Sequence, residues 1–98
     1  NPTPSNYKIN IKTYPNPFNN FVRISFLLDN NRQKKILIYN MMGVLIKSLY
    51  IRNIIKGENY IFWDGQNDSG KTSTSGIYFI KLIQGFETLG AQKVLFLK

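Results

Sequence analysis

The stretch FVRISFLL, residues 21–28, determines the fold class because apolar and polar side chains alternate along it. Apolar residues at every second position from Val22 to Leu28 share one side of an extended chain, while Arg23 and Ser25 share the other. An alternation with a period of two is typical of a strand that buries one face. The sequence therefore predicts a half-buried β-strand here.

Similar strand patterns occur on both sides of this stretch. The segment YKINIKTY places Ile9 and Ile11 on one face, and five further strands are predicted in KKILIYNM, VLIKSLY, YIFW, IYFIKLIQ and KVLFLK. KKILIYNM is apolar at both parities, which predicts a strand covered on both faces. Without helical periodicity, about seven short strands predict an all-β fold, an immunoglobulin-like antiparallel β-sandwich. An antiparallel barrel is the alternative, but long connections favour the Greek-key sandwich.

The stretch YPNPFNN, residues 14–20, precedes the first long strand and cannot be helical. Pro15 and Pro17 fix φ and lack backbone donors. We expect Tyr14 and Phe18 to pack this turn onto the sandwich, and the two prolines to prevent it from pairing as an edge strand.

The first residues, NPTPSN, have the composition of a linker. We therefore expect a fragment from the C-terminal end of a larger protein, with residues 1–13 as linker and possible first strand and residues 14–98 as the domain. A signal peptide would then lie upstream.

Composition excludes most catalytic sites. The chain of 98 residues has no histidine and no cysteine, which removes the commonest general base and the thiolate ligands. Its five carboxylates form no evident acid–base pair. The net charge of +8 comes from basic residues that are scattered singly, apart from the adjacent Lys34 and Lys35, and no nucleic-acid-binding motif accompanies them. We expect a non-enzyme that needs no cofactor and binds no nucleic acid.

The loop WDGQNDSGK, residues 63–71, is the most site-like polar segment. Asp64, Asn67 and Asp68 form a weak candidate calcium site, although the spacing of an EF-hand is absent. Asx turns explain the same residues without an ion.

Aromatic residues around this loop divide between core and surface. If Ile61 and Trp63 face inward, Trp63 belongs to the core, and Tyr60 and Phe62 face outward. Exposed neighbouring aromatic residues predict a partner surface, either for glycan or for a preceding domain.

The order of the motifs resembles the C-terminal sorting domain (type A) of proteins exported by the type IX secretion system, and the related immunoglobulin-like domain of the flagellar hook-capping protein. The resemblance covers residues 14–98 and rests on YPNP, IYNMMG, WDG, SGIY and a final QKVLFLK. Asn40 stands where the family commonly has aspartate, and Val44 and Asn20 also depart from its pattern. The motif residues are Tyr14, Pro15, Asn16, Pro17, Tyr39, Gly43, Trp63, Asp64, Gly65 and Gly70.

The resemblance implies a non-catalytic targeting module of a larger cargo protein. The cargo would cross the periplasm, and the outer-membrane translocon and its receptor subunits would recognise the folded domain. The cargo would then be released or attached to anionic lipopolysaccharide at the cell surface.

The last strand is suited to recognition because it is apolar and expected near a sheet edge, where backbone groups can accept another strand. The residues expected to carry recognition are Gly76, Tyr78, Lys93, Val94, Leu95, Phe96, Leu97 and Lys98. The alternative is an accessory structural or carbohydrate-binding module of an extracellular hydrolase, with Tyr60 and Phe62 as its surface. A hook-capping role is a third reading.

Overall fold

The computed structural model describes residues 8–52 and 54–98. Its elements are all strands: β1 Lys12–Tyr14, β2 Val22–Leu28, β3 Lys35–Asn40, β4 Leu45–Tyr50, β5 Gly57–Trp63, β6 Gly76–Gln84 and β7 Glu87–Phe96. In this part of the chain no helix is long and apolar enough to cross a membrane.

The strands form two antiparallel sheets. One sheet has the order β1-β2-β5 and the other has the order β4-β3-β6-β7. The chain crosses between the sheets three times, from β2 to β3, from β4 to β5 and from β5 to β6. This arrangement confirms the predicted immunoglobulin-like β-sandwich.

The core lies between the sheets and follows the predicted alternation. Val22, Ile24, Phe26 and Leu28 of β2 are all buried, while Arg23 is exposed. From the opposite sheet, β3 and β6 contribute their own buried positions. These residues are Ile36, Ile38, Tyr78, Ile80 and Leu82.

β3 was predicted to be covered on both faces, and this prediction was wrong for its outer face. Ile36 and Ile38 are buried against the other sheet, but Leu37 and Tyr39 on the opposite face are only half-buried. Apolar residues at both parities arise because β3 is central in its sheet, where β4 and β6 flank it. Neighbouring side chains on those strands cover its outer face in part.

The strand boundaries also differ from those predicted. The segment GFETLG was expected to be a connection, yet β7 begins at Glu87, and a short turn at Gly85 and Phe86 joins it to β6. The first strand is shorter than its alternation predicted, because only Lys12–Tyr14 pairs with β2. Ile11 before it is nevertheless part of the core. The division expected at residue 14 falls on the last residue of β1, and residues 1–7 of the expected linker lie outside the described residues.

Candidate functional site

The candidate recognition strand, β7, lies at the edge of the four-stranded sheet. One of its sides pairs with β6 along the whole strand. On its other side, the Phe18 N–H donates to the carbonyl of Leu95 (3.0 Å), and the Leu97 N–H donates to the carbonyl of Phe18 (2.9 Å). The expectation that this end of β7 presents unpaired backbone groups was therefore wrong.

Asn16 extends the same pairing through its side chain. Its Oδ1 accepts from the Leu95 N–H (3.0 Å), and its Nδ2 donates to the carbonyl of Lys93 (3.3 Å). Asn16 and Phe18 make all of these bonds, so the N–H group that Pro17 lacks does not interrupt the pairing. The prolines were expected to prevent pairing, and that prediction was wrong. Residues 16–18 are called the edge segment below.

The side chain of Phe18 anchors the edge segment in a buried aromatic cluster. Its ring lies 4.8 Å from that of Phe96 and 5.5 Å from that of Trp63, measured between centroids. Trp63 in turn meets Tyr78 at 5.2 Å. Three of these rings come from the motifs WDG, SGIY and QKVLFLK, and Phe18 directly follows YPNP, so segments far apart in the chain converge on one packing unit. The core position predicted for Trp63 is confirmed.

Two hydrogen bonds and one glycine fix the geometry of this aromatic cluster. The Trp63 Nε1–H donates to the carbonyl of Gln66 (2.9 Å), and the Tyr78 hydroxyl donates to the carbonyl of Thr74 (2.6 Å). Gly65 has a φ of +80°, and a Cβ at this position would lie 2.7 Å from Cζ of Phe96. Glycine is required here both by the backbone conformation and by the ring.

The motif IYNMMG forms the turn between β3 and β4. Asn40 Oδ1 accepts from the N–H groups of Met42 (2.9 Å) and Val44 (3.0 Å), and the Gly43 N–H donates to the carbonyl of Asn40 (3.0 Å). An amide oxygen accepts these bonds as a carboxylate would. Asn40 therefore preserves the turn without a charge.

The polar loop between β5 and β6 uses its candidate calcium ligands as hydrogen-bond acceptors. Asp64 Oδ1 accepts from the Gln66 N–H, and Asn67 Oδ1 accepts from two N–H groups that follow it. Asp68 covers the edge of β4: its N–H donates to the carbonyl of Ile46 (3.0 Å), and its Oδ1 accepts from the Ser48 N–H (3.2 Å). These contacts account for Asp64, Asn67 and Asp68 without an ion.

The residues expected to carry recognition divide into buried and exposed groups. Tyr78, Val94 and Phe96 are buried, so they can shape a surface but cannot form it. Lys93, Leu97 and Lys98 are exposed at the end of β7, and Leu95 is half-buried. Gly76 begins β6 opposite Phe96. The structure thus brings these residues together at one end of the sandwich, with two lysines and one leucine presented to solvent.

A second exposed surface lies on the outer face of the three-stranded sheet. Tyr60 and Phe62 are 59% and 48% exposed, so their outward orientation is confirmed. Phe21 packs edge-on against Phe62 at 5.4 Å, and the Arg23 guanidinium lies 5.6 Å from the ring centroid of Tyr60. Tyr14 is 73% exposed on β1. It was expected to pack onto the sandwich, but it occupies the outward parity of its strand.

Sequence reasoning missed the edge segment and the roles of Phe21 and Arg23. Periodicity describes which face of a strand is buried, and it contains no information about which distant strand a short proline-rich turn will pair with. For Phe21 and Arg23 a signal was present, because Arg23 has the outward parity of β2 and Phe21 is an aromatic residue of the same parity.

The sequence matches the family model described as secretion system C-terminal sorting domain over residues 12–95. Similar folds include dimeric latent PorU from Porphyromonas gingivalis (TM-score 0.79, 17% identity, covering 91% of this chain and 9% of that one). PorZ, a type IX secretion system surface component of the same organism, gives a TM-score of 0.61 at 16% identity, covering 90% and 11%. FlgD from P. aeruginosa gives 0.65 at 18%, covering 90% and 67%.

No curated protein matches the sequence. This chain spans about a tenth of the two P. gingivalis proteins, and at such identities these structures support the fold alone. The assignment to a family rests instead on the family model, whose match extends from β1 through nearly all of β7. The chain belongs to the family of secretion system C-terminal sorting domains of the type IX pathway.

Proposed function

We propose that this domain directs the cargo protein joined to it through the type IX secretion system, and that it is not itself catalytic. The supporting observation is the family match, which spans the sandwich from residue 12 to residue 95. The cargo would cross the periplasm, be recognised at the outer-membrane translocon through the folded domain, and reach the cell surface or the exterior. Attachment to anionic lipopolysaccharide would be a later step.

Recognition is assigned to the exposed end of β7. Lys93, Leu97 and Lys98 are the exposed members of the predicted set. Since the edge segment already occupies the backbone of this end, a receptor would read side chains here instead of adding a strand. Two lysines beside an exposed leucine suit a receptor with an apolar contact and acidic groups around it.

Charge reversal tests this assignment without removing the core. In the full-length protein, Lys93→Glu with Lys98→Glu should retain the cargo in the periplasm, because the two introduced carboxylates would repel an acidic receptor. Arg52→Glu with Lys56→Glu is the matched control, since both residues are exposed. Arg52 follows β4 and Lys56 precedes β5, so both lie at the end of the sandwich opposite to Phe96. Cargo would be quantified by immunoblot in the periplasm, on the cell surface and in the medium.

Deletion of residues 93–98 would be a poorer test, because it removes the buried Val94 and Phe96 and would unfold the domain. Fluorescence of the single tryptophan, Trp63, reports whether each charge variant is folded. Normal export of a folded Lys93→Glu, Lys98→Glu variant would contradict the assignment.

A further inference from the structure

The outer face of the three-stranded sheet carries an unusual group of exposed residues. Its aromatic members are Tyr14, Phe21, Tyr60 and Phe62, each about half exposed or more. The outward face of an antiparallel sheet that meets solvent is ordinarily polar. Contiguous exposed aromatic residues therefore mark an interaction surface more strongly than the single exposed side chains found in turns elsewhere. These four residues with Arg23 are called the aromatic face.

The strand register places the aromatic face on three neighbouring strands. Tyr14 of β1 lies opposite Arg23 of β2, which lies opposite Phe62 of β5. In the adjacent row, Lys12 lies opposite Ser25, which lies opposite Tyr60. A cation stands in each row among the aromatic rings, so the face is continuous across the sheet and positively charged.

The two cations on this face form no salt bridge among the described residues, although Glu58 of β5 has the same outward parity and lies opposite Leu27. The salt bridges of that part of the chain join Lys8 to Glu87 and Lys47 to Asp68. Arg23 instead lies over the Tyr60 ring, and Lys12 is exposed. With a net charge of +8 on the whole chain, electrostatics favours an acidic partner and disfavours a second copy placed face to face.

Ring orientation favours a protein partner over a glycan. Phe62 meets Phe21 at an interplanar angle of 87° and Tyr60 at 75°. The rings are therefore not coplanar, whereas a sugar chain stacks on flat ring faces. Arg23 also lies over the Tyr60 ring. A corrugated group of Tyr, Phe and Arg has the composition of a protein-interface hot spot.

We propose that the aromatic face docks an acidic segment of a partner protein, with Phe62 filling an apolar pocket of the partner and Arg23 pairing with its carboxylates. This surface lies on the three-stranded sheet, whereas the recognition end of β7 belongs to the four-stranded sheet. The proposal does not depend on which residues the translocon reads.

Photo-crosslinking in the native cell tests the proposal. Phe62→benzoylphenylalanine and, separately, Phe21→benzoylphenylalanine would be placed in the full-length protein, and the crosslinked peptides would be identified by mass spectrometry. The control position is Met42, which is exposed in the β3–β4 turn. Both test positions should crosslink to the same protein within a segment rich in Asp and Glu, and Met42 should not.

Charge dependence is then measured with the identified partner in purified form. Arg23→Glu and Phe62→Ala should each weaken its binding to the chain roughly tenfold or more, as expected for hot-spot residues. Met42→Ala and Lys71→Glu should leave the affinity unchanged. Adducts formed only with glycan or lipopolysaccharide, with a second copy of the chain, or with a segment lacking acidic residues would each overturn the proposal. An absence of adducts from both positions would overturn it as well.

Discussion

Gly65 shows how closely one residue can determine the packing of a motif. The loop turns at this position with a positive φ, and the ring of Phe96 from the last strand lies where a side chain would begin. Trp63, two residues earlier, contacts the same ring at 6.2 Å between centroids. The glycine of WDG is thus explained by contact with KVLFLK, a segment about thirty residues later in the chain.

Gly65→Ala should destabilise the domain more than Gly70→Ala. Both glycines have a positive φ, but a Cβ at Gly70 would meet nothing within 4 Å. The backbone strain alone should cost about 1 kcal/mol at Gly70, and overlap with Phe96 should raise the cost at Gly65 to roughly 2–4 kcal/mol. Denaturant unfolding followed by Trp63 fluorescence would measure both values. Equal losses of stability in the two variants would contradict this prediction, because they would show that the Phe96 ring moves aside at no cost.

Lys34 provides a prediction about pH. Its side chain is buried, and its Nζ donates to Asn30 Oδ1 (2.7 Å) and to the carbonyl of Arg32 (2.8 Å). Burial lowers the pKa of Lys34 below its ordinary value of 10.5, although Asp29 opposes this shift. Between the lowered pKa and 10.5, the unfolded chain binds more protons than the folded chain. The contribution of Lys34 to the free energy of unfolding therefore increases as the pH rises.

Comparison with Lys34→Met isolates this effect from the titration of other groups. Relative to the variant, the unmodified protein should become more stable as the pH rises from the lowered pKa of Lys34 toward 10.5, because deprotonation relieves the buried charge. Denaturant unfolding of both proteins across that range would measure the difference. A difference that stays constant or falls with pH would contradict the predicted direction.

At the scale of elements, the edge segment determines how β7 meets solvent. An edge strand with open backbone groups is a template for pairing with other chains. Here Asn16 and Phe18 occupy those groups near Leu95, and Ile9 donates its N–H to the carbonyl of Leu89 further along β7 (2.9 Å). The first residues of the described chain therefore protect the last strand.

Asn16→Ala should loosen this protection specifically. It removes the acceptor of the Leu95 N–H and the donor to the Lys93 carbonyl, at a cost of about 1–2 kcal/mol. Hydrogen exchange at Leu95 should accelerate roughly tenfold, since 1.4 kcal/mol corresponds to a factor of ten. Asn20→Ala is the matched control, because Asn20 is exposed in the adjoining segment. Unchanged exchange at Leu95 in the Asn16 variant would contradict the assigned role of this side chain.

Elements formed by interactions between residues close in sequence were predicted better than elements that depend on pairing with a distant strand. The alternation in β2 predicted its buried face, and the turn at Gly43 was evident from local residues. The start of β7 at Glu87 was missed because a glycine and polar residues there resemble a turn, while pairing with β6 holds them extended. The tertiary structure overrides a local propensity in such places.

At the scale of the whole molecule, the sequence motifs predicted the family better than they predicted their own roles. Their order was sufficient for the resemblance, and the family match confirms it. The sequence did not predict that Phe18, Trp63, Tyr78 and Phe96 form one cluster, because the four rings come from both sheets and from the edge segment. Tyr78 and Phe96 were expected to belong to a recognition surface, but both are buried in the core.

Export of a reporter tests the sorting role most directly. A signal peptide and a reporter protein would be placed before residues 1–98 and produced in a bacterium that has a type IX secretion system, and in the same strain without the translocon. The reporter should reach the cell surface or the medium in the intact strain alone, and accumulate in the periplasm of the other. A reporter that stays in the periplasm of both strains, or leaves both equally, would contradict the sorting role.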